Sequence, residues 1–236
     1  MTLSDLIAEV ERRRKTIVAY SDAEAGEILR RFEGGTVDVE HRSLPSGGPG
    51  GFIVIREADE FVGAMGLSKF REIVSPPHHR PWDAEGVDSG YRALFEILDG
   101  TIFTSFDRGT LLAAAREIET TAWRVGRGTL HVGFQSLSAL RSQIPVYRRL
   151  GVERALDIHL YGSADWNPPA LANTTIHAES ADEIGSYWFL VYDGGDDREC
   201  RALIAEERSP NEYYGFWTVD TDIVAEGLRH LQRTYG

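Results

Sequence analysis

Three histidines carry the first chemistry that the sequence suggests. His131, His159 and His177 each lie in a segment with the alternation of a β-strand. If those strands are neighbours, three imidazoles meet, which is the usual ligand set of catalytic zinc. The spacing matches no metal motif, however, and separate, half-buried histidines are the favoured interpretation. We therefore predict no metal site.

Acid–base and nucleophilic chemistry finds less support. The sequence contains no G-x-S-x-G, no H-E-x-x-H and no glycine-rich dinucleotide loop after a strand. Glu206 and Glu207 are adjacent, and adjacent strand residues point to opposite faces. A non-enzymatic protein is favoured, and no cofactor can be named. The alternative is a hydrolase that uses Glu119 or Glu207 as a base, with histidines holding a metal.

A further set of residues mixes aromatic rings with a few polar groups. Small-molecule pockets are built in this way, from an apolar lining with sparse convergent donors. Composition alone favours the other interpretation, an aromatic core with arginines at helix ends. The set comprises Trp123, Arg124, Phe134, Gln135, Tyr147, Trp188, Phe216 and Trp217.

The elements that would position this set are clear in the middle of the chain. A helix over 108–125 has an apolar stripe at spacings of four and three, which is typical of a core-facing helix. The stretch VGRG then predicts a tight turn into a strand over 129–135. Pro145 either kinks the helical segment that follows or starts a second short helix.

The two ends of the chain predict an α/β fold. Residues 1–90 open with a β-α-β pattern, including a helix in SDAEAGEILRRFEGG, and a hairpin follows. Residues 75–90 form a long irregular loop with His78 and His79. The tail predicts an antiparallel meander of three strands and a closing helix. We expect a single domain over 1–236, with a central mixed β-sheet flanked by helices.

Charge and composition limit the classes of partner. The 236 residues carry a net charge of −12, and Lys15 and Lys69 are the only lysines. An acidic surface with little lysine suits a halophilic protein and argues against direct nucleic-acid binding. No apolar run is long enough to span a membrane, and the N-terminus lacks the order of a secretory signal. We therefore expect a cytoplasmic protein.

Three segments resemble the DICT sensory domain, a family named for its place in diguanylate cyclases and two-component systems. They are AREIETTAWRVGRGTLHVGFQSLSALRSQIPVYRRL, YWFLVYDGG and ALIAEERSPNEYYGFWTVD. The resemblance is densest over residues 101–220, and the N-terminal part is similar to a free-standing form from halophilic archaea. The family pattern falls on Arg116, Ile118, Glu119, Phe134, Gln135, Tyr147, Leu150, Trp188, Glu207, Phe216, Trp217, Thr218 and Asp220.

The resemblance implies a signal-input module of a kind attached to cyclase, kinase or DNA-binding domains and associated with light responses. The chain shows no GGDEF-like segment, histidine-kinase core or clear helix-turn-helix. We therefore predict a sensory protein that binds a small ligand or chromophore. It would signal through a partner such as a kinase, cyclase or transcription regulator, or by forming a homodimer.

A pure interaction module without a ligand is the remaining alternative. In the sensory hypothesis the pocket lies between the helix at 108–125, the strand at 129–135 and the strand that contains the sequence FWT at 216–218, called the FWT strand below. The candidate ligand-binding residues are Arg116, Glu119, Trp123, Phe134, Gln135, Tyr147, Trp188, Glu207 and Trp217.

Overall fold

Segments of alternating and continuous apolar residues form the strands of two β-sheets. The structure, a computed structural model, describes residues 1–13, 15–21, 37–44, 51–57, 60–74, 80–82, 99–106, 108–195 and 199–236. All structural statements below concern these residues.

The first sheet has four strands in the order β2-β1-β3-β4. Its strands are β1 (Lys15–Ser21), β2 (Val37–Ser43), β3 (Phe52–Glu57) and β4 (Glu60–Gly66). Strands β1 and β2 are parallel, as a β-α-β unit requires, and β3 and β4 form the expected antiparallel hairpin. Helix α1 (Leu3–Glu11) precedes β1 in the chain, and α2 (Leu67–Val74) follows β4 and contacts β3 and β4.

The second sheet has seven strands in the order β5-β11-β10-β9-β6-β7-β8. Its first four strands in the chain are β5 (Thr101–Phe106), β6 (Arg127–Ser136), β7 (Ala155–Ser163) and β8 (Thr174–Glu179). The meander adds β9 (Tyr187–Asp193), β10 (Arg201–Ser209) and β11 (Glu212–Thr218). The pairs β6–β7 and β7–β8 are parallel, whereas β6–β9 and the meander pairs are antiparallel.

Helices cover both faces of the second sheet. They are α1, which contacts β5 and β11, together with α3 (Arg108–Val125), α4 (Ile144–Glu153), α5 (Asp182–Ser186) and α6 (Thr221–Tyr235), and a 3-10 helix at Leu137–Ser142. Strand β9 is therefore buried on both faces. Trp188 and Leu190 belong to one hydrophobic cluster, and Phe189 and Val191 belong to another. Burial on both faces explains why this strand is apolar at nearly every position.

The α/β class, the mixed pairing, the meander and the closing helix are confirmed. The strands divide between two sheets, where the sequence predicted one central sheet. Pro145 lies in the first turn of α4, so it starts a second helix after the 3-10 turn instead of kinking one long helix. The helix expected in SDAEAGEILRRFEGG and most of the loop over 75–90 lie outside the described residues.

Candidate functional site

Helix α3 and the strand that follows it form the frame of the site. Leu111, Ala115, Ile118 and Ala122 form the predicted stripe and are buried in the larger cluster. The helix ends at Gly126, which has a φ of +73° and donates its N–H to the Ala122 carbonyl at 2.8 Å. Strand β6 therefore returns beside the helix that precedes it.

A buried polar network lies between α3 and α4. Arg116 and Glu119, one turn apart on α3, form an ion pair with side chains 9% and 3% exposed. The Tyr147 hydroxyl donates to Glu119 Oε1, and Arg116 donates to Glu119 Oε2 and to Gln143 Oε1. Each Glu119 oxygen thus accepts a bond, as a buried carboxylate requires.

The network keeps fixed protonation states on two of its members. Burial and the neighbouring Glu119 carboxylate raise the pKa of Tyr147 well above its usual value. Burial lowers the pKa of Arg116, but the charge of Glu119, the Tyr147 hydroxyl and the hydrogen bond to Glu119 together outweigh this effect and leave the pKa raised. Tyr147 therefore remains a donor at neutral pH, and Arg116 remains a cation.

A cleft of about 200 Å³ opens directly above this network. Phe134 and Tyr147 pack edge to face with ring centroids 5.5 Å apart. The Arg108 guanidinium lies over the Trp188 ring, 5.7 Å from its centroid. The lining residues are Arg108, Leu112, Ala115, Glu119, Phe134, Ala139, Ser142, Gln143, Tyr147, Trp188 and Leu190.

Four of the predicted residues line this cleft, namely Glu119, Phe134, Tyr147 and Trp188. Arg116 lies behind the lining and contacts it through Glu119 and Gln143. The wall opposite α3 comes from β9 rather than from the FWT strand β11. In the sheet, β9 is the neighbour of β6, whereas β11 lies beyond β9 and β10.

The remaining predicted residues lie elsewhere. Trp217 is 3% exposed and stacks on Phe103, with centroids 5.7 Å apart, so it belongs to the core. Trp123 packs near the other end of α3, where the Arg154 guanidinium lies 3.5 Å from its ring centroid. Their expected place in a common pocket with Tyr147 is therefore not observed.

Gln135 and Glu207 form a polar bridge outside the cleft lining. Gln135 Nε2 donates to Glu207 Oε2 at 2.8 Å, and the other carboxylate oxygen accepts the Asn211 backbone N–H at 2.9 Å. Gln135 has a φ of +63°, in the left-handed region. The bridge joins the end of β6 to the end of β10 and the turn after it.

Seven lining residues were not predicted from the sequence, namely Arg108, Leu112, Ala115, Ala139, Ser142, Gln143 and Leu190. A signal was present for part of this set, because Arg108, Leu112, Ala115 and Glu119 repeat at spacings of four, three and four. That stripe lies beside the apolar one on the same helix. Gln143 offered no such pattern, since it lies at the junction between the 3-10 helix and α4.

The three histidines do come together, because β6, β7 and β8 are neighbours. His131 stacks on His159 with centroids 4.5 Å apart, and His159 Nδ1 lies 3.0 Å from His177 Nε2. His131 Nδ1 contacts the Tyr161 hydroxyl at 2.7 Å. The rings stack in parallel instead of converging, and the described residues contain no group of three or more ligating side chains that could hold a metal.

One further property bears on the class of protein. Within the described part of the chain, none of the helices combines the length and the hydrophobicity that crossing a bilayer requires.

Comparisons with known proteins give one family. No curated protein matches the chain. A crystal structure of polyphosphate kinase from Porphyromonas gingivalis is similar over 98% of this chain and 48% of that chain, with 10% identity and a TM-score of 0.39. The chain thus spans about half the length of that structure, and so low a score carries no argument about fold or function.

The family model that matches is DICT, described as a sensory domain in diguanylate cyclases and two-component systems, over residues 95–208. The matched segment includes the whole cleft lining and the buried network. It also includes every predicted site residue except Trp217. Residues 95–208 therefore belong to the DICT family of sensory domains, as the resemblance in the sequence indicated.

Proposed function

We propose that the chain is a non-catalytic signal-input protein that binds a small ligand in the cleft between α3, β6 and β9. The observation that carries this proposal is the position of the cleft. It lies within the DICT segment and directly above the Arg116–Glu119–Tyr147 network. An apolar, aromatic wall with a few fixed polar groups is the usual construction of a small-molecule site.

The same geometry supports a route for the signal. Gln143 lines the cleft, accepts a bond from Arg116 and stands at the start of α4. A ligand that contacts Gln143 or competes for its bond would therefore move the junction between the 3-10 helix and α4. We propose that a signalling partner or a second copy of the chain reads this movement.

The hydrolase alternative is less well supported by the surroundings of its two candidate bases. Glu119 accepts bonds from Arg116 and Tyr147, and Glu207 accepts bonds from Gln135 and the Asn211 backbone. Among the described residues, the cleft lining includes no histidine. A general base must reach the substrate proton and gain from accepting it. Glu119 is held as an anion by Arg116, and Glu207 does not line the cleft, so neither arrangement favours that role.

The test is the mass and the absorption spectrum of the full chain purified in molar salt. An excess mass under native conditions, or a visible band, is the expected result for a retained ligand or chromophore. Ala139→Trp fills the cleft and should remove that excess, whereas Ala172→Trp, at an exposed loop position outside the lining, should leave it.

An excess mass that persists in Ala139→Trp would contradict the cleft as the site. A native mass equal to that of the chain alone, together with no binding of benzoate or benzamide at millimolar concentration, would contradict the proposal that the protein binds a ligand. The interaction module without a ligand would then be the better account.

A further inference from the structure

The one carboxylate of the described cleft lining belongs to an anion–cation pair whose charges already cancel. Glu119 is the carboxylate of the lining, and its two oxygens accept bonds from Tyr147 and Arg116. The pair is buried, so water cannot replace either partner. A cationic ligand would therefore find no free carboxylate among the described lining residues.

The lining has two charged side chains among the described residues, Glu119 and Arg108. The Arg108 side chain is exposed, its guanidinium lies over the Trp188 ring, and Tyr213 is a further electrostatic neighbour. The Glu207 carboxylate is held by Gln135 and the Asn211 backbone, and it does not line the cleft. Among the described residues, Arg108 thus has no carboxylate partner and lies beside an aromatic ring.

The rest of the wall has the chemistry of a site for a flat apolar group. Phe134 and Trp188 supply aromatic rings, and Leu112 and Leu190 supply aliphatic side chains. The volume of about 200 Å³ admits a ligand of roughly one or two rings. The Gln143 amide nitrogen donates to Ser142 Oγ at 3.1 Å and keeps a second hydrogen for a ligand acceptor.

We infer that the cleft takes a planar, apolar ligand with a single anionic group, whose body packs against Phe134 and Trp188 and whose acid group pairs with Arg108. The inference rests on the proposed function and adds the chemical class of the ligand. A guanidinium that lies over an aromatic ring can pair with a carboxylate at its edge, because its donors point outward in its own plane.

Three probes of nearly identical shape and different charge test the inference, namely benzoate, benzamide and benzamidinium. Their dissociation constants for the full chain are measured by ligand-observed NMR at one fixed ionic strength. Benzoate is expected to bind about tenfold more tightly than benzamide, a difference of about 1.4 kcal/mol. Benzamidinium is expected to bind most weakly.

Substitutions at Arg108 link that preference to the guanidinium. Arg108→Gln should reduce benzoate affinity to that of benzamide and leave benzamide within about twofold, and Arg108→Lys should restore part of the preference. Arg141→Gln is the matched control. Arg141 is also exposed and lies over a tryptophan, 4.9 Å from the Trp166 ring centroid, outside the cleft.

The outcomes separate the two proposals. Equal affinity for benzoate and benzamide, or a benzoate preference that survives Arg108→Gln, overturns the ligand class. If benzamide binding is still abolished by Ala139→Trp in that case, the cleft remains a ligand site. If none of the three probes binds a wild-type chain that also carries no excess mass, the ligand class and the proposed function both fail.

Discussion

At the scale of single residues, Glu119 holds the site together. Its carboxylate is 3% exposed and accepts bonds from Arg116 on α3 and Tyr147 on α4. Arg116 also reaches Gln143, so one carboxylate fixes the floor of the cleft and the start of the next helix. Removal of this one charge leaves a buried guanidinium without its counter-ion.

Glu119→Gln should therefore cost about 3–5 kcal/mol in the free energy of unfolding, because it leaves Arg116 charged and buried. Tyr147→Phe removes one hydrogen bond to the carboxylate and should cost about 1–3 kcal/mol. Urea denaturation measures both. Glu153→Gln is the control, since the Glu153–Arg149 pair is exposed and should change stability by less than about 0.5 kcal/mol. Equal costs for Glu119→Gln and Glu153→Gln would contradict this role.

The lowered pKa of His131 predicts that the free energy of unfolding depends on pH. Burial, with His159 and His177 nearby, lowers the pKa of His131 to about 3. The unfolded chain takes up a proton near pH 6.5 while the folded chain does not, so stability falls as pH falls between about 6.5 and 3. The slope from this one group approaches about 1.4 kcal/mol per pH unit.

The measurement is the free energy of unfolding of wild type and His131→Phe at several pH values in that window. Phenylalanine keeps a ring against His159 but cannot titrate, so the variant should show a shallower slope whatever its stability at neutral pH. If wild type and His131→Phe show the same slope of the free energy of unfolding against pH, His131 is not the source of the pH dependence.

At the scale of elements, the turn between α3 and β6 sets the position of the cleft wall. Gly126 ends the helix, and two residues later Gly128 has a φ of +100°. A Cβ atom on Gly128 would lie 2.0 Å from the Asp193 carbonyl oxygen on β9. The close approach of β6 and β9 at this point therefore requires glycine.

Gly128→Ala should destabilise the fold by about 3 kcal/mol or more, since it adds a collision with backbone to the strain of a positive φ. Gly100→Ala is the matched control. Gly100 has a φ of +61°, and a Cβ atom at this position would have no heavy atom within 4 Å beyond its chain neighbours. The control should cost about 1–2 kcal/mol. Thermal or urea denaturation gives both values, and similar losses would show that Asp193 does not restrict position 128.

At the scale of the whole molecule, the two sheets share one hydrophobic cluster. That cluster includes Ile17, Ile53 and Phe70 beside the first sheet, together with Leu111 of α3 and Leu203 of the second sheet. The DICT segment covers residues 95–208, and nine of the thirty buried residues of this cluster lie outside it. We propose that residues 1–236 nevertheless fold as one domain.

A single domain predicts one cooperative unfolding transition. The five tryptophans lie at position 82 and beyond, so their fluorescence follows the second sheet and its helices, while far-UV circular dichroism follows both sheets. The two signals should give the same denaturant midpoint. Separate midpoints would show that the first sheet unfolds independently.

Local patterns in the sequence predicted most of the elements, and distant contacts explain the differences. The stripe of α3, the strand after VGRG and the meander follow from spacing and turn residues over short stretches. The placement of β6 between β9 and β7, and of β5 beside β11, depends on residues far apart in the chain. The sequence therefore did not predict two sheets.

The same distinction applies to the site. Glu119, Phe134 and Tyr147 meet because α3 and β6 form two sides of the expected frame, and Trp188 joins them because β9 is the neighbour of β6. Trp217 fell outside because β9 and β10 lie between β11 and β6, which is a property of sheet order alone. Arg108 shares the helical spacing of Glu119, whereas Gln143 belongs to no short motif and is identified only by its position beside the cleft.

The central claim is that the cleft beside Trp188 binds a ligand, and the tryptophan indole N–H resonances test it most directly. Benzoate and benzamide are titrated into the ¹⁵N-labelled full chain, and the five indole signals are followed. The account predicts saturable shifts at Trp188, with Trp123 and Trp166 unchanged, and loss of those shifts in Ala139→Trp. The claim would be contradicted if the shifts occur at other tryptophans and leave Trp188 unaffected, or if neither probe causes any shift.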